Sequence, residues 1–218
     1  MPLSPYRVLD LTQSNGVLCA QILGDLGADV IQIEPPGGAA GRKLGPFANG
    51  HANAPEHSLF WWAYSRGKRS LELDIVTSKE LYLQLVAHAD FLIEAEPPGS
   101  LAAKGLDYDS LAAINPGLIM VSLTPYGCSG PKALWAASDI TLAAASGPMS
   151  LTGDEDRPPL RVSVPQVWHH AALDGATAAL IALHERHQSG HGQHIDISAQ
   201  QAMTFATQGY ILSTAVND

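Results

Sequence analysis

Histidines are concentrated near the end of the chain, where their spacing resembles that of metal ligands. Imidazole nitrogens three or four residues apart on a helix are common zinc ligands. Gly190 and Gly192, however, interrupt the helical pattern between them. We therefore interpret these histidines as a solvated helix end and predict no metal site. The four residues are His184, His187, His191 and His194.

The residues that open the same helical pattern are a second candidate for chemistry. Trp168 is followed directly by His169 and His170, and Asp174 lies further along. A histidine such as His170 can act as a general base near neutral pH. Adjacent helical residues point to different faces, so the alternative is that the two histidines cap or pack. Asp174 lies about 1.7 turns beyond Trp168, which places its carboxylate on another face of the helix.

Short apolar runs that alternate with helical patterns must position these residues. Arg7–Leu11 is predicted to be a strand, Cys19–Leu26 a helix and Asp29–Glu34 a second strand. This βαβ unit implies a parallel sheet. The same alternation along the whole chain predicts a doubly wound, mainly parallel α/β fold. The other predicted strands are Ser70–Ile75, Asp90–Glu94, Leu118–Leu123 and His194–Ser198; the other helices are Ser78–Ala89, Leu101–Ile114, Asp139–Ala145, Trp168–His187 and Gln200 onward; residues 36–58 are predicted to be an irregular loop.

The first βαβ unit suggests a nicotinamide dinucleotide site, with Glu34 in the place of the ribose-binding acid. The turn after the first strand reads TQSNGV and lacks the GxGxxG pattern. Those glycines are what lets a pyrophosphate approach the helix N-terminus. We therefore reject a nicotinamide site and expect Glu34 to be a solvated residue at a strand end.

Composition and charge exclude several classes of protein. The chain has 218 residues, 46% of them hydrophobic, which suffices for the core of one globular domain. Its net charge of −9 argues against nucleic-acid binding through phosphates. Cys19 and Cys128 have no metal or redox spacing. No secretory signal opens the chain and no apolar run reaches the roughly 18 residues of a membrane helix, so we expect a cytoplasmic protein without membrane partners.

Several longer blocks carry a family resemblance. VLDLT is followed by LGDLGADVIQIEPPGG, SRGKRSLELD, DFLIEAEPPGSLAAKGLDYDSLAAINPGLIMVSLTPYGCSGP and PPLRVSVPQVWHHAALDGATAALIALHERHQSGHGQHIDIS. In this order the blocks resemble the family III CoA-transferases, the CaiB/BaiF group that includes formyl-CoA transferase, carnitine CoA-transferase and α-methylacyl-CoA racemase. The resemblance implies a Rossmann-like large domain. It also implies coenzyme A and acyl-CoA as substrates, a carboxylate as second substrate, and an interlocked dimer.

The resemblance places the covalent nucleophile of the family at position 168. Family members carry an aspartate three residues after the proline that opens this helix, here Pro165, and that aspartate attacks the acyl thioester. An indole has one N–H donor and no nucleophilic lone pair, so Trp168 cannot perform this step. Asp174 and His170 are the candidate substitutes within the chain.

The blocks that line the CoA pocket in the family are altered as well. Asn15-Gly16-Val17 replaces Ala-Gly-Pro, and Ala95-Glu96-Pro97-Pro98-Gly99 replaces Asn-Phe-Arg-Pro-Gly. A basic residue expected near Ala103 is absent, although Lys104 follows it. Basic groups near loops suit the phosphates of CoA, and the alternative is that they form solvated turns. The remaining candidates for CoA binding are Arg42, Arg66, Lys68, Arg69 and Lys132.

Three hypotheses follow from these departures. The chain is a non-catalytic subunit or half of a CoA-transferase, in a homo- or hetero-dimer with a catalytic family member that supplies the aspartate. Alternatively it is a transferase or racemase that uses Asp174 or a histidine, or a non-enzymatic CoA-binding or scaffold module. Because family members continue into a smaller second domain, we expect residues 1–218 to be the N-terminal part of the large domain, incomplete at its C-terminus, with the small domain absent from this chain.

Overall fold

Parallel strands joined by helical crossovers form one sheet. The computed structural model describes residues 1–51 and 54–217, and only the backbone of residues 211, 214, 215 and 217. Its strands are β1 (Arg7–Asp10), β2 (Asp29–Glu34), β3 (Arg69–Glu72), β4 (Phe91–Glu94), β5 (Ile119–Thr124) and β6 (His194–Ser198). Across these described residues the strand order is β3-β2-β1-β4-β5-β6, and every neighbouring pair is parallel.

Helices cover both faces of this sheet, which confirms the predicted doubly wound α/β fold. Buried residues of the first and seventh helices pack on one face, and those of the third and fifth on the other. The helices are α1 (Val17–Asp25), α2 (Leu59–Tyr64), α3 (Lys79–Val86), α4 (Ser100–Ala103), α5 (Tyr108–Ala112), α6 (Asp139–Ala145), α7 (Gln166–Ser189), α8 (Ala199–Ala206) and α9 (Gln208–Asn217).

The strand order reverses between β1 and β4. From β1 the chain builds outward through β2 and β3, then returns to place β4 on the other side of β1. The connections on either side of this point leave the sheet on opposite faces, so a crevice opens outside the carboxyl ends of β1 and β4. Ligands of doubly wound proteins bind in that crevice.

Helix α7 packs unusually close to the sheet. Its buried face is built mostly of alanine and glycine. A Cβ at Gly175 would lie 3.0 Å from Leu123 Cδ2 and 3.3 Å from Cys19 Sγ, closer than most real contacts. The small side chains therefore let α7 sit directly on β5 and α1. This packing fixes the first turn of α7, and Trp168 with it, at the crevice.

The segment at residues 36–58 is more ordered than the predicted irregular loop. Short 3-10 turns span Ala40–Lys43, Ala48–Gly50 and Pro55–His57, while residues 52 and 53 lie outside the described part. Helix α2 follows and was not predicted, because its six residues are too few to show a helical period. Its start is fixed by Ser58, whose Oγ accepts a hydrogen bond from the Trp61 amide at 3.1 Å.

Membrane insertion has no support in the helices of the structure. Within the described part of the chain, none combines the length and the apolar character that a membrane span requires.

Candidate functional site

A cleft of about 390 Å³ occupies the crevice between the carboxyl ends of β1 and β4. Asn15 follows β1, and the segment from Ala95 to Pro98 follows β4. The loop after β5 and the first turn of α7 supply the remaining walls. We call this the tryptophan cleft; it is lined by Asn15, Ala95, Glu96, Pro97, Pro98, Pro125, Ala133, Leu134, Trp135, Ala136, Ala137 and Trp168.

A second cleft, of about 220 Å³, also has Trp168 in its wall. It lies between the first turns of α1 and α7, and we call it the helix-end cleft. Trp168 and Asn15 line both clefts, and the indole is only 8% exposed. The lining of the helix-end cleft is Ser14, Asn15, Gly16, Val17, Leu18, Leu44, Phe60, Pro165, Trp168 and His169.

The first turn of α7 offers a favourable place for an anion, yet Trp168 stands there. The positive end of a helix dipole stabilises a negatively charged group in its first turn. One carboxylate already uses this end, because the Val167 amide donates to Asp139 Oδ1 at 3.2 Å. A carboxylate at position 168 would likewise be held in its ionised, nucleophilic form. The indole at that position carries neither charge nor a nucleophilic lone pair.

The residues considered as substitutes for a nucleophile lie on other faces of α7. His169 lines the helix-end cleft, with its ring centroid 5.3 Å from that of Tyr64, and burial lowers its pKa. The neighbouring His170 is half-buried and lines neither cleft. Asp174 is exposed, one and a half turns along the helix and away from the buried face that carries Trp168. The structure therefore does not bring Asp174 or His170 to the clefts.

Lys68 lies beneath the crevice as half of a buried ion pair. Its Nζ is 2.8 Å from Asp10 Oδ2 and also donates to the Val17 carbonyl at 3.0 Å and Gln32 Oε1 at 3.3 Å. Both charged side chains are almost fully buried, at 2% and 0% exposed. Asp10 in turn accepts from the amide and hydroxyl of Thr12. Lys68 thus links β1, β2 and the start of α1, and its ammonium has no free access to a ligand.

Arg42 is bound to Glu34 by two hydrogen bonds, of 2.6 and 2.8 Å. Its guanidinium also donates to Glu56 Oε1 and lies 4.4 Å from the Trp61 ring centroid. Glu34 is buried, so the expectation of a solvated strand end was wrong. Burial favours the protonated acid, but hydrogen bonds from Arg42, Ser70 and the Ala39 amide hold the pKa of Glu34 below its usual range. The pair ties the 36–58 segment to β2.

The other predicted basic residues lie at two ends of the molecule. Arg66 pairs with Asp25, and Arg69 pairs with Asp29 at the amino end of β2, far along the strand from the crevice. Lys132 lies instead in the loop after β5, with its ammonium 5.6 Å from the Trp135 ring centroid and 5.9 Å from that of Tyr126. Lys132, unlike Arg66 and Arg69, therefore lies beside the tryptophan cleft.

A third cleft, of about 320 Å³, extends the crevice along the carboxyl ends of β1 and β2. We call it the strand-end cleft. Its walls are largely apolar, with Asp74 and Lys104 at its edge. Lys104 Nζ lies 3.6 Å from Glu96 Oε2, and Glu96 also lines the tryptophan cleft, so the two clefts adjoin there. Its lining is Leu11, Gln13, Ile33, Pro35, Pro36, Leu73, Asp74, Ile75, Val76, Glu96 and Lys104.

Glu94 at the end of β4 is a titratable group that the sequence analysis did not single out. It is 4% exposed, and burial raises its pKa to about 6 despite hydrogen bonds from Ser122 and the Glu96 amide. The Ser122 hydroxyl lies 2.8 Å from His194 Nε2. Desolvation lowers the pKa of His194, whose ring stacks on Tyr108 at 5.5 Å. The signal in the sequence that could have identified Glu94 is its place at the end of an otherwise apolar strand.

The four histidines near the chain end are dispersed. His187 contacts the Tyr6 hydroxyl at 2.8 Å, His184 contacts Gln188, and His191 contacts Ser189. His194 belongs to the Ser122 pair on another strand. Among residues 1–51 and 54–217, no three His, Cys, Asp or Glu side chains come together in a way that could hold a metal ion.

Comparison with known proteins relates this chain to one family. The family model for CoA-transferase family III matches residues 3–218. Succinyl-CoA–D-citramalate CoA-transferase of Chloroflexus aurantiacus is 37% identical over 206 residues, which cover 93% of this chain and 50% of that protein. The BbsE subunit of succinyl-CoA:(R)-benzylsuccinate CoA-transferase from Thauera aromatica is 34% identical over 207 residues, covering 94% and 50%.

A solved structure gives the same relationship for the fold. A CaiB/BaiF family protein from Brucella suis superposes with a TM-score of 0.90 at 37% identity, covering 98% of this chain and 58% of that one. The chain spans about half the length of the curated relatives it matches.

Proposed function

The chain belongs to CoA-transferase family III, and from this premise we propose that it forms the CoA-binding part of an enzyme that transfers CoA between an acyl-CoA and a carboxylic acid. We propose further that it acts as a non-catalytic subunit or half. The observation that supports this is Trp168, an indole in the first turn of α7 at the place where the family resemblance requires a carboxylate. Covalent transfer in the family uses a carboxylate at this position, and this chain has an indole there.

In this proposal CoA lies along the crevice. Its adenine enters the strand-end cleft, where the apolar walls suit a flat ring and the Asp74 carboxylate can accept from the exocyclic amine. Its thioester points toward Asn15 and Trp168. The first turn of α1 borders the same crevice and favours phosphate oxygens, as do the ammonium groups of Lys104 and Lys132. Lys132 is the basic residue kept from the sequence prediction.

A partner chain is proposed as the source of the carboxylate. One relative is named as a subunit of a CoA-transferase. A homo- or hetero-dimer with a catalytic family member would let this chain hold the fold and the substrate while the partner performs the covalent step. The dimer, the cytoplasmic location and the division into a large and a small domain stay predictions.

The two alternatives have less support. A transferase or racemase acting through Asp174 or a histidine would need that side chain beside the thioester; Asp174 and His170 line neither cleft, and His169 lines only the helix-end cleft. A non-enzymatic CoA-binding or scaffold module is the other alternative, and it would act without a catalytic partner. Clefts at the carboxyl ends of the strands beside an indole at position 168 fit binding without covalent chemistry on this chain.

The test is covalent trapping on the full-length protein, alone and with the product of the neighbouring gene. Each sample receives succinyl-CoA and an acceptor acid, and borohydride then reduces any protein–CoA thioester to an alcohol that peptide mass mapping locates. We expect an adduct on the partner and none on this chain. An adduct on the unmodified chain alone would contradict the non-catalytic role. Trp168→Asp should gain an adduct at residue 168, while Trp168→Asn, which lacks an ionised carboxylate, should not.

A further inference from the structure

The tryptophan cleft has the size and lining of a site for a flat apolar group. Its volume of about 390 Å³ lies within the range of small-molecule sites. Trp168 forms a buried wall at 8% exposed, whereas Trp135 is 58% exposed. Proline and alanine side chains supply most of the remaining surface. The Trp168 indole is thus buried in the core, and the Trp135 indole exposes its ring at the cleft.

The exposed indole is held in place although it is open to solvent. The Tyr126 ring meets Trp135 edge-on, with centroids 6.2 Å apart at 79°. The Lys132 ammonium lies 5.6 Å from the Trp135 ring centroid. Edge-to-face and cation–π contacts are both attractive, so together they favour one ring position. A large aromatic surface kept exposed and oriented beside a cleft is typical of ligand recognition.

Charge in the cleft disfavours a second carboxylate on the ligand. Glu96 is the charged side chain in its described lining. Lys104 pairs with Glu96 from the strand-end cleft, and Lys132 lies over the aromatic rings outside the lining. A dicarboxylic acyl group would therefore place its free carboxylate against Glu96 and apolar walls. Such a group would lose its hydration without gaining a cation.

We infer that the tryptophan cleft binds an aromatic acyl group, so that the thioester held by this chain is that of an aromatic monocarboxylic acid; this inference rests on the proposed CoA binding. Exchange of a carboxylate for Trp168 then has two consequences. The site loses its nucleophile, and it gains a wall on which an aromatic ring can pack. Trp168 and Trp135 are specificity-determining residues in this scheme.

Calorimetry with the full-length protein tests the inference. The probes are CoA, succinyl-CoA and phenylacetyl-CoA, and phenylacetate and succinate are compared separately by ligand-observed NMR. We expect phenylacetyl-CoA to bind about tenfold more tightly than succinyl-CoA. Trp135→Ala should remove most of this preference. Trp62→Ala is the matched control, because Trp62 is also largely exposed, at 48%, but lies outside the cleft. Glu96→Gln should raise the affinity for succinyl-CoA alone.

These measurements distinguish failure of the aromatic site from failure of the proposed CoA binding. Equal affinity for the two thioesters, or a preference that survives Trp135→Ala, overturns the aromatic site while CoA binding stands. Failure of CoA itself to bind contradicts the proposed function. In that case the free acids decide the inference: phenylacetate must bind in preference to succinate, and Trp135→Ala must abolish its binding.

Discussion

The strands on the two sides of the β1–β4 boundary differ in how their charged residues are paired. On the side of β1, β2 and β3, charges are buried in pairs and every charged partner is satisfied: Lys68 with Asp10, and Arg42 with Glu34. On the side of β4, β5 and α7, Arg186 pairs with Asp90 near the amino ends of the strands, whereas the crevice is walled by indole, proline and alanine. The buried acid Glu94 accepts from Ser122 and the Glu96 amide. The first side holds loops to strands by charge. The second presents an apolar surface at the carboxyl ends of its strands.

The ion pairs of the first side support the walls of the crevice. The ion pairs fix β1, α1 and the 36–58 segment, and these elements form two walls of the crevice. Buried charges are costly unless fully partnered, so these pairs matter first for the stability of the fold. The first side therefore supports the shape of the crevice, and the second supplies most of its apolar lining.

The largest expected effect comes from breaking the buried pair of the first side. Lys68→Met leaves the Asp10 carboxylate buried without its cation, and we expect the free energy of unfolding to fall by about 3–5 kcal/mol. Urea denaturation measures this. Arg66→Met is the matched control, because its pair with Asp25 is exposed and should contribute less than about 1 kcal/mol. Asp10→Asn added to Lys68→Met should recover part of the loss. Equal effects of Lys68→Met and Arg66→Met would show that burial of the Lys68–Asp10 pair does not make it the more important of the two.

A smaller effect tests the uncompensated acid of the second side. The pKa of Glu94 is raised from 4.5 to about 6, so the folded state holds this proton more tightly than the unfolded chain. Stability from this group is therefore complete below about pH 4.5 and falls as the pH rises to about 6, by about 2 kcal/mol. Between pH 4.5 and 6.5, the free energy of unfolding of the wild type should fall relative to that of Glu94→Gln, by up to that amount.

Asp29 provides the control for this titration. Burial raises its pKa, but hydrogen bonds from Arg69 and Arg7 lower it further, below 3.8. Its stabilising contribution is present above that value and is lost only as the pH falls through the lower pKa of the folded state. The difference between wild type and Asp29→Asn should thus stay constant from pH 4.5 to 6.5. A constant difference for Glu94→Gln as well would show that Glu94 is not held in a desolvated site.

The sequence predicts the scaffold more fully than it predicts the site. The bounds of β2, α6 and β6 agree with prediction, because apolar runs and capping residues are local signals. Partners of charged residues are not local. Lys68 and Arg69 are neighbours in the same motif, yet one pairs with Asp10 under the crevice and the other with Asp29 at the opposite end of the sheet. Which carboxylate each of two adjacent cations pairs with depends on strand direction and on contacts distant in sequence.

The smallest effect concerns the remaining cations and contrasts the two ends of the sheet directly. Lys132 lies beside the tryptophan cleft against the rings of Tyr126 and Trp135, whereas Arg69 is engaged by Asp29 at the amino end. We expect Lys132→Ala to weaken CoA binding about fivefold, roughly 1 kcal/mol, and Arg69→Ala to leave it unchanged. Calorimetry at two salt concentrations measures both, and the Lys132 contribution should shrink as salt rises because it is exposed to screening. If Arg69→Ala weakened binding as much as Lys132→Ala, CoA would not lie at the carboxyl ends of the strands, and the crevice would lose its place as the binding site.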